Sequence, residues 1–274
     1  MAKEVIDGKR VDSKLKSRNP IIEFDKLKLY FREPYVINIE GIDGIITLIQ
    51  PSIGDIIELG EKRFYTTLNL FITNTTVFRL QLWEQGIDWN QLSDFELFIM
   101  LLASADKEVY RTFLPDIDFS KFGIFEKKID DKKAKVLYDI ENKIEINEEV
   151  YFHISQYLRL IFNMYPEEKM TTDSIMKKWF IEKDKRELRN KELKKEKNEG
   201  EDSGLLPVIS GCCNHPGFKY KTSELKELGV FQFFDSVKRL QVYESTTALQ
   251  KGMYSGFMDS SKIKTDDYNF MKSI

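Results

Sequence analysis

The stretch NEEVYFHISQYLRLIFNMYP, residues 147–166, decides the fold, because it predicts one long amphipathic helix. Val150, Ile154, Leu158 and Ile161 recur at helical spacing and form a single apolar stripe. A helix with such a stripe buries one face against other elements of the chain. We expect Pro166 to stop the helix, since proline cannot continue the backbone hydrogen bonding.

Short strands are predicted in the first half of the chain, in two regions that precede this helix. Alternating apolar and polar residues, such as Leu27, Leu29 and Phe31, indicate a period of two, which is typical of strands. Asp130 and Asp131 are predicted to form a turn between two of them. The predicted strand segments are residues 27–31, 36–39, 44–51, 122–127, 135–140 and 143–146.

Residues 52–115 change to a helical period, and we expect three to five short helices there. Ser52 is a plausible N-cap for the first, with Asp55 three residues later. Ser93 or Asp94 is expected to cap a later one. Together with the strands, these patterns predict an α+β fold that is dominated by helices, with small antiparallel β elements in the N-terminal region.

A highly charged segment, residues 182–202, interrupts the chain, and sixteen of its twenty-one residues are charged. Both signs alternate along it, which predicts a solvated helix rather than a nucleic-acid-binding tract. We place the domain boundary at this segment. The predicted organisation is a flexible arm over 1–20, an N-terminal α+β domain over 21–181, a charged helix and linker over 182–204, and a small helical C-terminal unit over 205–274.

Two adjacent cysteines and one of the two histidines lie in GCCNHPG, residues 211–217. Zinc sites usually need four ligands, often in spaced pairs, and the chain has no second such pair. A Cys–His nucleophile needs an orienting group and an oxyanion site, and the sequence offers neither. We interpret Cys212 and Cys213 as small packed residues before a turn, with Thr222 or Ser223 capping the next helix. No metal, cofactor or catalytic residue is predicted, and we expect no enzyme activity.

The composition excludes several other classes of protein. A net charge of −3 argues against broad binding to nucleic acid, which needs a basic surface. No run approaches the roughly 20 apolar residues that cross a bilayer, and residues 1–20 lack the apolar centre of a signal peptide. Two cysteines give no disulfide framework. We expect a protein of the cytoplasm, with no membrane or nucleic-acid partner.

Two regions resemble proteins from tail gene clusters of phages and prophages of low-GC Gram-positive bacteria. The first comprises IITLIQPSIGDIIELGEKRFYTTLNLFITN, residues 45–74, and QLWEQGIDWNQLSDFELF, residues 81–98. The second is GFKYKTSELKELGVFQFFDSVKRLQVYESTTALQKGMYSG, residues 217–256, which is similar to the helical region of tail assembly chaperones. The resemblance implies a non-enzymatic protein that binds the tape-measure protein, tail-tube subunits or both during assembly.

The aromatic cluster FQFFDSV supplies a candidate contact face in the C-terminal unit, because so small a unit cannot hide every large apolar side chain. This face comprises Phe231, Phe233, Phe234, Val237 and Leu240. From the sequence alone these residues are either core or interface. A virion structural protein of the tail or neck is the nearest alternative function, and a regulatory or nucleic-acid-binding protein is the second. The protein is also a possible oligomer.

Overall fold

The computed structural model describes residues 4–6, 9–11, 21–129, 132–195, 203–256 and 263–272. The predicted α+β class is confirmed, with small antiparallel sheets in the N-terminal region and helices at the C-terminal end. The predicted turn at Asp130 and Asp131, and most of the predicted arm, lie outside the described residues. The helices are α1 (Lys26–Tyr30), α2 (Ile53–Leu59), α3 (Glu61–Ile72), α4 (Arg79–Glu84), α5 (Asp94–Leu101), α6 (Lys107–Tyr110), α7 (Glu148–Phe162), α8 (Ser174–Lys195), α9 (Leu205–Asn214), α10 (Thr222–Leu225) and α11 (Val230–Tyr254).

The strands pair as antiparallel neighbours in each sheet. The third sheet has the order β5-β6-β7, and its first two strands pair over eight residues each, from Phe122↔Asp139 to Ile129↔Lys132. Inward-facing residues such as Leu137 and Ile146 are buried in the main core. The strands are β1 (Glu4–Ile6), β2 (Lys9–Val11), β3 (Tyr35–Ile37), β4 (Ile46–Leu48), β5 (Phe122–Ile129), β6 (Lys132–Asp139) and β7 (Ile144–Ile146).

Helix α7 lies in the middle of the main core, as its apolar stripe predicts. Val150, Ile154, Leu158 and Ile161 are each at most 2% exposed. Asn147 caps the helix through its side chain, which accepts a hydrogen bond from the Val150 backbone N–H at 3.0 Å. The helix ends earlier than expected, at Phe162, since the next residue, an asparagine, takes the left-handed conformation with φ of 53° and closes it before Pro166.

The first predicted strand is wrong, because Leu27 and Leu29 lie in α1. Asp25 accepts hydrogen bonds from the backbone N–H groups of Leu27 and Lys28 and so begins a helix. Leu29 is buried, while Leu27 and Phe31 are exposed. A segment this short, with three apolar positions, fits both the period of a strand and that of a helix. The Asp25 cap favours the helix.

The predicted N-caps of the short helices are confirmed. Ser52 and Asp55 form a reciprocal capping box at the start of α2. Ser93 and Glu96 form a second one at the start of α5. Each box satisfies backbone N–H groups that the first turn of a helix leaves without partners, which fixes the direction in which these helices enter the core.

Helix α8 extends the predicted charged segment toward the N-terminus and is attached to α4. The Arg79 guanidinium donates two hydrogen bonds of 2.5 Å to the Asp184 carboxylate and lies 4.9 Å from the centre of the Phe180 ring. Ile181 of α8 and the fully buried Trp89 belong to a second, smaller hydrophobic cluster. No helix among the described residues has the length and hydropathy needed to span a bilayer.

The cysteine segment is helical, which the sequence analysis did not predict, and it precedes a turn as expected, with Cys212 buried and Cys213 exposed. Leu205, Val208, Ile209 and Cys212 share one face of α9 at helical spacing, and this apolar face explains the helix. The predicted turn follows it, over Pro216 and Gly217. Lys221, rather than Thr222 or Ser223, stands at the N-cap of α10, where the Glu224 side chain accepts from its backbone N–H.

The C-terminal helices share the main core with the N-terminal region. Leu225, Leu228, Val230 and Phe233 belong to the same cluster as residues of α2 and α7. The backbone of residues 226–230 also pairs with that of residues 51–54, through hydrogen bonds of 2.8 to 3.1 Å. The domain boundaries stay a prediction, but the described residues on either side of them are packed against each other.

Candidate protein-binding groove

The five predicted contact residues lie on two different faces of α11. Phe233 is fully buried in the main core and offers no surface to a partner. Val237 packs against the same core, and Leu240 lies beside the turn at Gly217. Phe231 and Phe234 are half-buried and face a groove. The structure therefore brings two of the five residues into one solvent-accessible site.

This groove has a volume of about 560 Å³ and lies between α1, the end of α7 and the first half of α11. Phe231 and Phe234 of α11 line it together with Leu160 of α7. Leu27 of α1 and Tyr165, which follows α7, are 68% and 63% exposed along it. Its size and apolar lining are those of sites that bind ligands or partner side chains.

Hydrogen bonds hold α1 in place as a wall of the groove. Arg32, which follows α1 and has a left-handed φ of 59°, donates from its guanidinium to the carbonyl of Glu227 at 2.7 Å and to that of Gln50 at 3.2 Å. The Gln50 amide donates to the Leu29 carbonyl at 2.5 Å. These hydrogen bonds connect α1 to the segment that follows β4, at Gln50, and to the segment that precedes α11, at Glu227.

The rim of the groove is mainly basic. Lys26, Lys238 and Arg239 line it, and Asp235 is the only carboxylate among its described lining residues. The Lys238 ammonium donates to the Asn163 side-chain oxygen at 2.8 Å. An apolar floor with cationic edges suits an amphipathic partner better than a small polar substrate.

The cysteines and His215 serve the local fold. The Gly217 backbone N–H donates to His215 Nδ1 at 3.0 Å, which leaves Nε2 to donate to Glu244 at 3.1 Å and so ties the turn to α11. Burial raises the pKa of the Cys212 thiol, which lowers its thiolate fraction and its reactivity. Among the described residues, no group of three His, Cys, Asp or Glu side chains is placed to hold a metal ion.

His153 lies on the edge of the core. Its Nδ1 is 2.6 Å from the Tyr35 hydroxyl, and the two rings are stacked. Burial lowers the pKa of His153. The neutral ring is therefore favoured in the folded protein, as a structural partner of Tyr35.

The sequence did not indicate that α1 and the end of α7 contribute to the groove. The sequence pattern predicted a strand at Leu27, whereas this residue lies on helix α1. Residues 27, 160 and 231 are far apart in the chain, and no local spacing relates them. Tyr165, just after α7, was a signal available in the sequence, since tyrosine is enriched at interfaces.

Comparison with known proteins finds one family. Residues 195–274 match the family model described as the YomV second domain, which is of phage origin. No curated protein and no solved structure matches the chain. The matched range covers less than a third of the chain and includes α9, α10 and α11, and with them Phe231 and Phe234. This C-terminal region is thus similar to a phage-associated domain, as the resemblance to phage proteins predicted.

Proposed function

We propose that the protein is a phage tail assembly chaperone and that it holds a tape-measure or tail-tube protein in the groove between α1, α7 and α11. The phage-associated domain in residues 195–274 supports a phage role. The resemblance of residues 217–256 to tail assembly chaperones supports the particular task. The groove supplies the surface on which such a task depends.

The observation that carries the proposal is apolar surface open to solvent at the junction of three helices. Leu27 and Tyr165 are more than half exposed, beside the half-buried Phe231 and Phe234. Soluble proteins usually cover such clustered apolar groups, and where they remain open they mark contact sites. Grooves between helices receive apolar side chains of a partner helix.

An open groove also fits a transient partner. The client can enter and leave along the open side, and the chaperone does not have to unfold. A chaperone needs this reversibility, because its client must be released into the growing tail. Phe231 and Phe234 are supported from behind by the main core, so the surface is preformed and little ordering is needed on binding.

Co-purification tests the proposal directly. The affinity-tagged protein should retain the tape-measure or tail-tube protein when both are produced in the same cells. Replacing Phe231 and Phe234 with Ser should lower the retained amount about tenfold or more, since aromatic anchors carry much of the energy at such sites. Tyr254→Ser is the matched control, because Tyr254 is 90% exposed and lies at the far end of α11.

The copy number in purified particles separates a chaperone from a virion component. A chaperone should be abundant in the lysate of producing cells and absent from particles, by quantitative mass spectrometry. A fixed number of copies per particle would exclude the chaperone role and favour a structural protein of the tail or neck. If the groove variants retain both tail proteins in full, the groove is not the binding site, whether the protein is a chaperone or a virion component.

A further inference from the structure

We infer that the groove recognises an acidic amphipathic helix, in which large apolar residues on one face are flanked by Asp or Glu. This inference rests on the proposed function and names the chemistry of the client segment. It comes from the charges around the groove, which are distinct from the apolar floor used above. The three rim cations Lys26, Lys238 and Arg239 are called the basic rim below.

Two of the three rim cations donate hydrogen bonds to neutral groups. The Lys238 ammonium donates to a neutral side-chain amide, that of Asn163. Arg239 donates from Nη1 to the backbone carbonyls of Phe270 and Lys272, at 2.8 Å each. In the part of the chain that the structure describes, no carboxylate lies within ion-pair distance of these three cations. Their charge is therefore available to a bound carboxylate.

Several other basic side chains of the protein are paired with carboxylates. The β5–β6 hairpin carries several lysines, and two of them pair with Glu126 and Glu145 at 2.8 and 2.9 Å. Arg63 pairs with both Asp106 and Glu108. The protein as a whole is acidic, with a net charge of −3. The rim combines three cations with one carboxylate, Asp235, beside an apolar floor, and its net positive charge selects partners by charge complementarity.

The shape of the groove favours a helix as the occupant. Three helices form its walls, and its apolar lining residues come from all three. A helix places side chains at positions i, i+3, i+4 and i+7 on one face, which matches an apolar floor between two edges. Carboxylates on either side of that face then reach the cations, whereas lysines in the same places meet like charge.

Two synthetic peptides of about four helical turns test the inference. Both carry the same apolar face of leucine with one tryptophan, and their flanking positions are all glutamate in one and all lysine in the other. Binding to the full chain is measured by fluorescence anisotropy. We expect the glutamate peptide to bind at least about tenfold more tightly, as several rim pairs add up, and its affinity to fall as salt rises.

Charge reversal provides the decisive variant. Lys26→Glu, Lys238→Glu and Arg239→Glu together should reverse the ranking of the two peptides. Lys251→Glu is the matched control, because Lys251 is an exposed residue of the same helix outside the groove, and the ranking should stay unchanged. Thermal melting identifies any variant that fails to fold, and the single Lys26→Glu variant then replaces the triple one, with a smaller shift in the same direction.

The outcomes separate this inference from the proposed function. Equal binding of the two peptides, or an unchanged ranking in a folded charge-reversal variant, would overturn the inference. If the inference fails in this way but the Phe231 and Phe234 variant still loses its tail protein, the proposed function holds and only the acidic character of the client segment is wrong. Binding of a single-stranded oligonucleotide in place of either peptide, lost on charge reversal, would overturn it in favour of a nucleic-acid site.

Discussion

Phe233 and Phe234 are neighbours in the sequence, but they have opposite roles in the fold. Phe233 is fully buried, whereas Phe234 is half-buried and lines the groove. Their rings lie 5.4 Å apart in an edge-to-face arrangement. The core residue therefore supports the groove residue from behind, and a substitution at each position should affect a different property.

Phe233→Ala should lower the free energy of unfolding by about 3–5 kcal/mol, because it removes a buried aromatic side chain and leaves a cavity. Phe234→Ala should cost roughly half as much or less, since part of its ring already contacts water. Urea denaturation followed by circular dichroism measures both values. Equal costs would contradict the assignment of Phe233 to the core and Phe234 to the groove.

His153 should make the stability depend on pH. Its pKa is lowered by burial, so the unfolded chain takes up a proton first, near the ordinary histidine value of about 6.5. The stability that neutral His153 contributes is present above that pH, and is lost as the pH falls from there through the folded pKa. Denaturation midpoints measured across this range should decline on the acid side.

His153→Gln should remove most of that decline, because glutamine keeps a polar partner for Tyr35 and does not titrate. The chain has two histidines, so His215→Gln is the natural control and should retain the decline. If the decline disappears with His215→Gln and persists with His153→Gln, the pH dependence comes from His215, which would contradict the role given to His153.

At the scale of elements, the attachment of α8 includes a largely buried ion pair, although the sequence of the helix is mostly exposed charge. Arg79 and Asp184 are both largely buried, with side-chain exposures of 9% and 17%. Arg79→Ala should cost about 3 kcal/mol, because it leaves a carboxylate without its partner in a poorly solvated place. Hydrogen exchange should then rise across residues 174–195.

An exposed pair on the same helix serves as the comparison. Lys185 and Glu182 approach to 3.8 Å and are about half exposed, so Lys185→Ala should change stability by less than about 0.5 kcal/mol. Faster exchange in α8 after Lys185→Ala, with none after Arg79→Ala, would show that surface charge rather than the buried pair holds the helix.

The contact between α2 and the segment before α11 depends on glycine. A Cβ atom on Gly54 would lie 2.8 Å from the Lys226 carbonyl oxygen, so the two backbones can approach only without it. Gly54→Ala should destabilise the protein by about 1–3 kcal/mol through this overlap. Gly211→Ala in α9 meets no atom within 4 Å and should stabilise by about 0.5–1 kcal/mol. Thermal melting tests both signs, and a gain from Gly54→Ala would contradict the close contact.

Local patterns in the sequence predicted elements well where many residues agree. The stripe of α7 and the N-caps of α2 and α5 were predicted, since each depends on residues within one or two turns. The short α1 was assigned to a strand because five residues fit both periods. Helix α9 was not predicted although Leu205, Val208, Ile209 and Cys212 have helical spacing, because the adjacent cysteines were interpreted only as small packed residues before a turn.

Only part of the candidate groove could be predicted, because its lining residues come from segments that are far apart in the chain. Phe231 and Phe234 were named from the aromatic cluster in the sequence. Their neighbours Leu27 and Leu160 come from helices elsewhere in the chain, and only the shared core brings them together. The same core fixes Phe233 inside, which the sequence left open. Contacts between distant segments decide which apolar residues remain on the surface.

The described part of the chain therefore presents a preformed apolar groove with a basic rim, supported by a core that joins the C-terminal helices to the N-terminal region. Residues 195–274 are similar to a phage-associated domain, yet the groove also requires α1 and α7, which lie outside that range. An isolated C-terminal region would lack two of the three walls. Client binding should accordingly depend on the full chain.

The most direct test is the affinity of the purified full chain for purified tape-measure and tail-tube proteins, measured by isothermal titration calorimetry. We predict that at least one of them binds, and that Phe231→Ser with Phe234→Ser weakens binding about tenfold or more, while Tyr254→Ser does not. Absence of binding to both proteins, or equal affinity for the groove variant and the unaltered protein, would contradict the account.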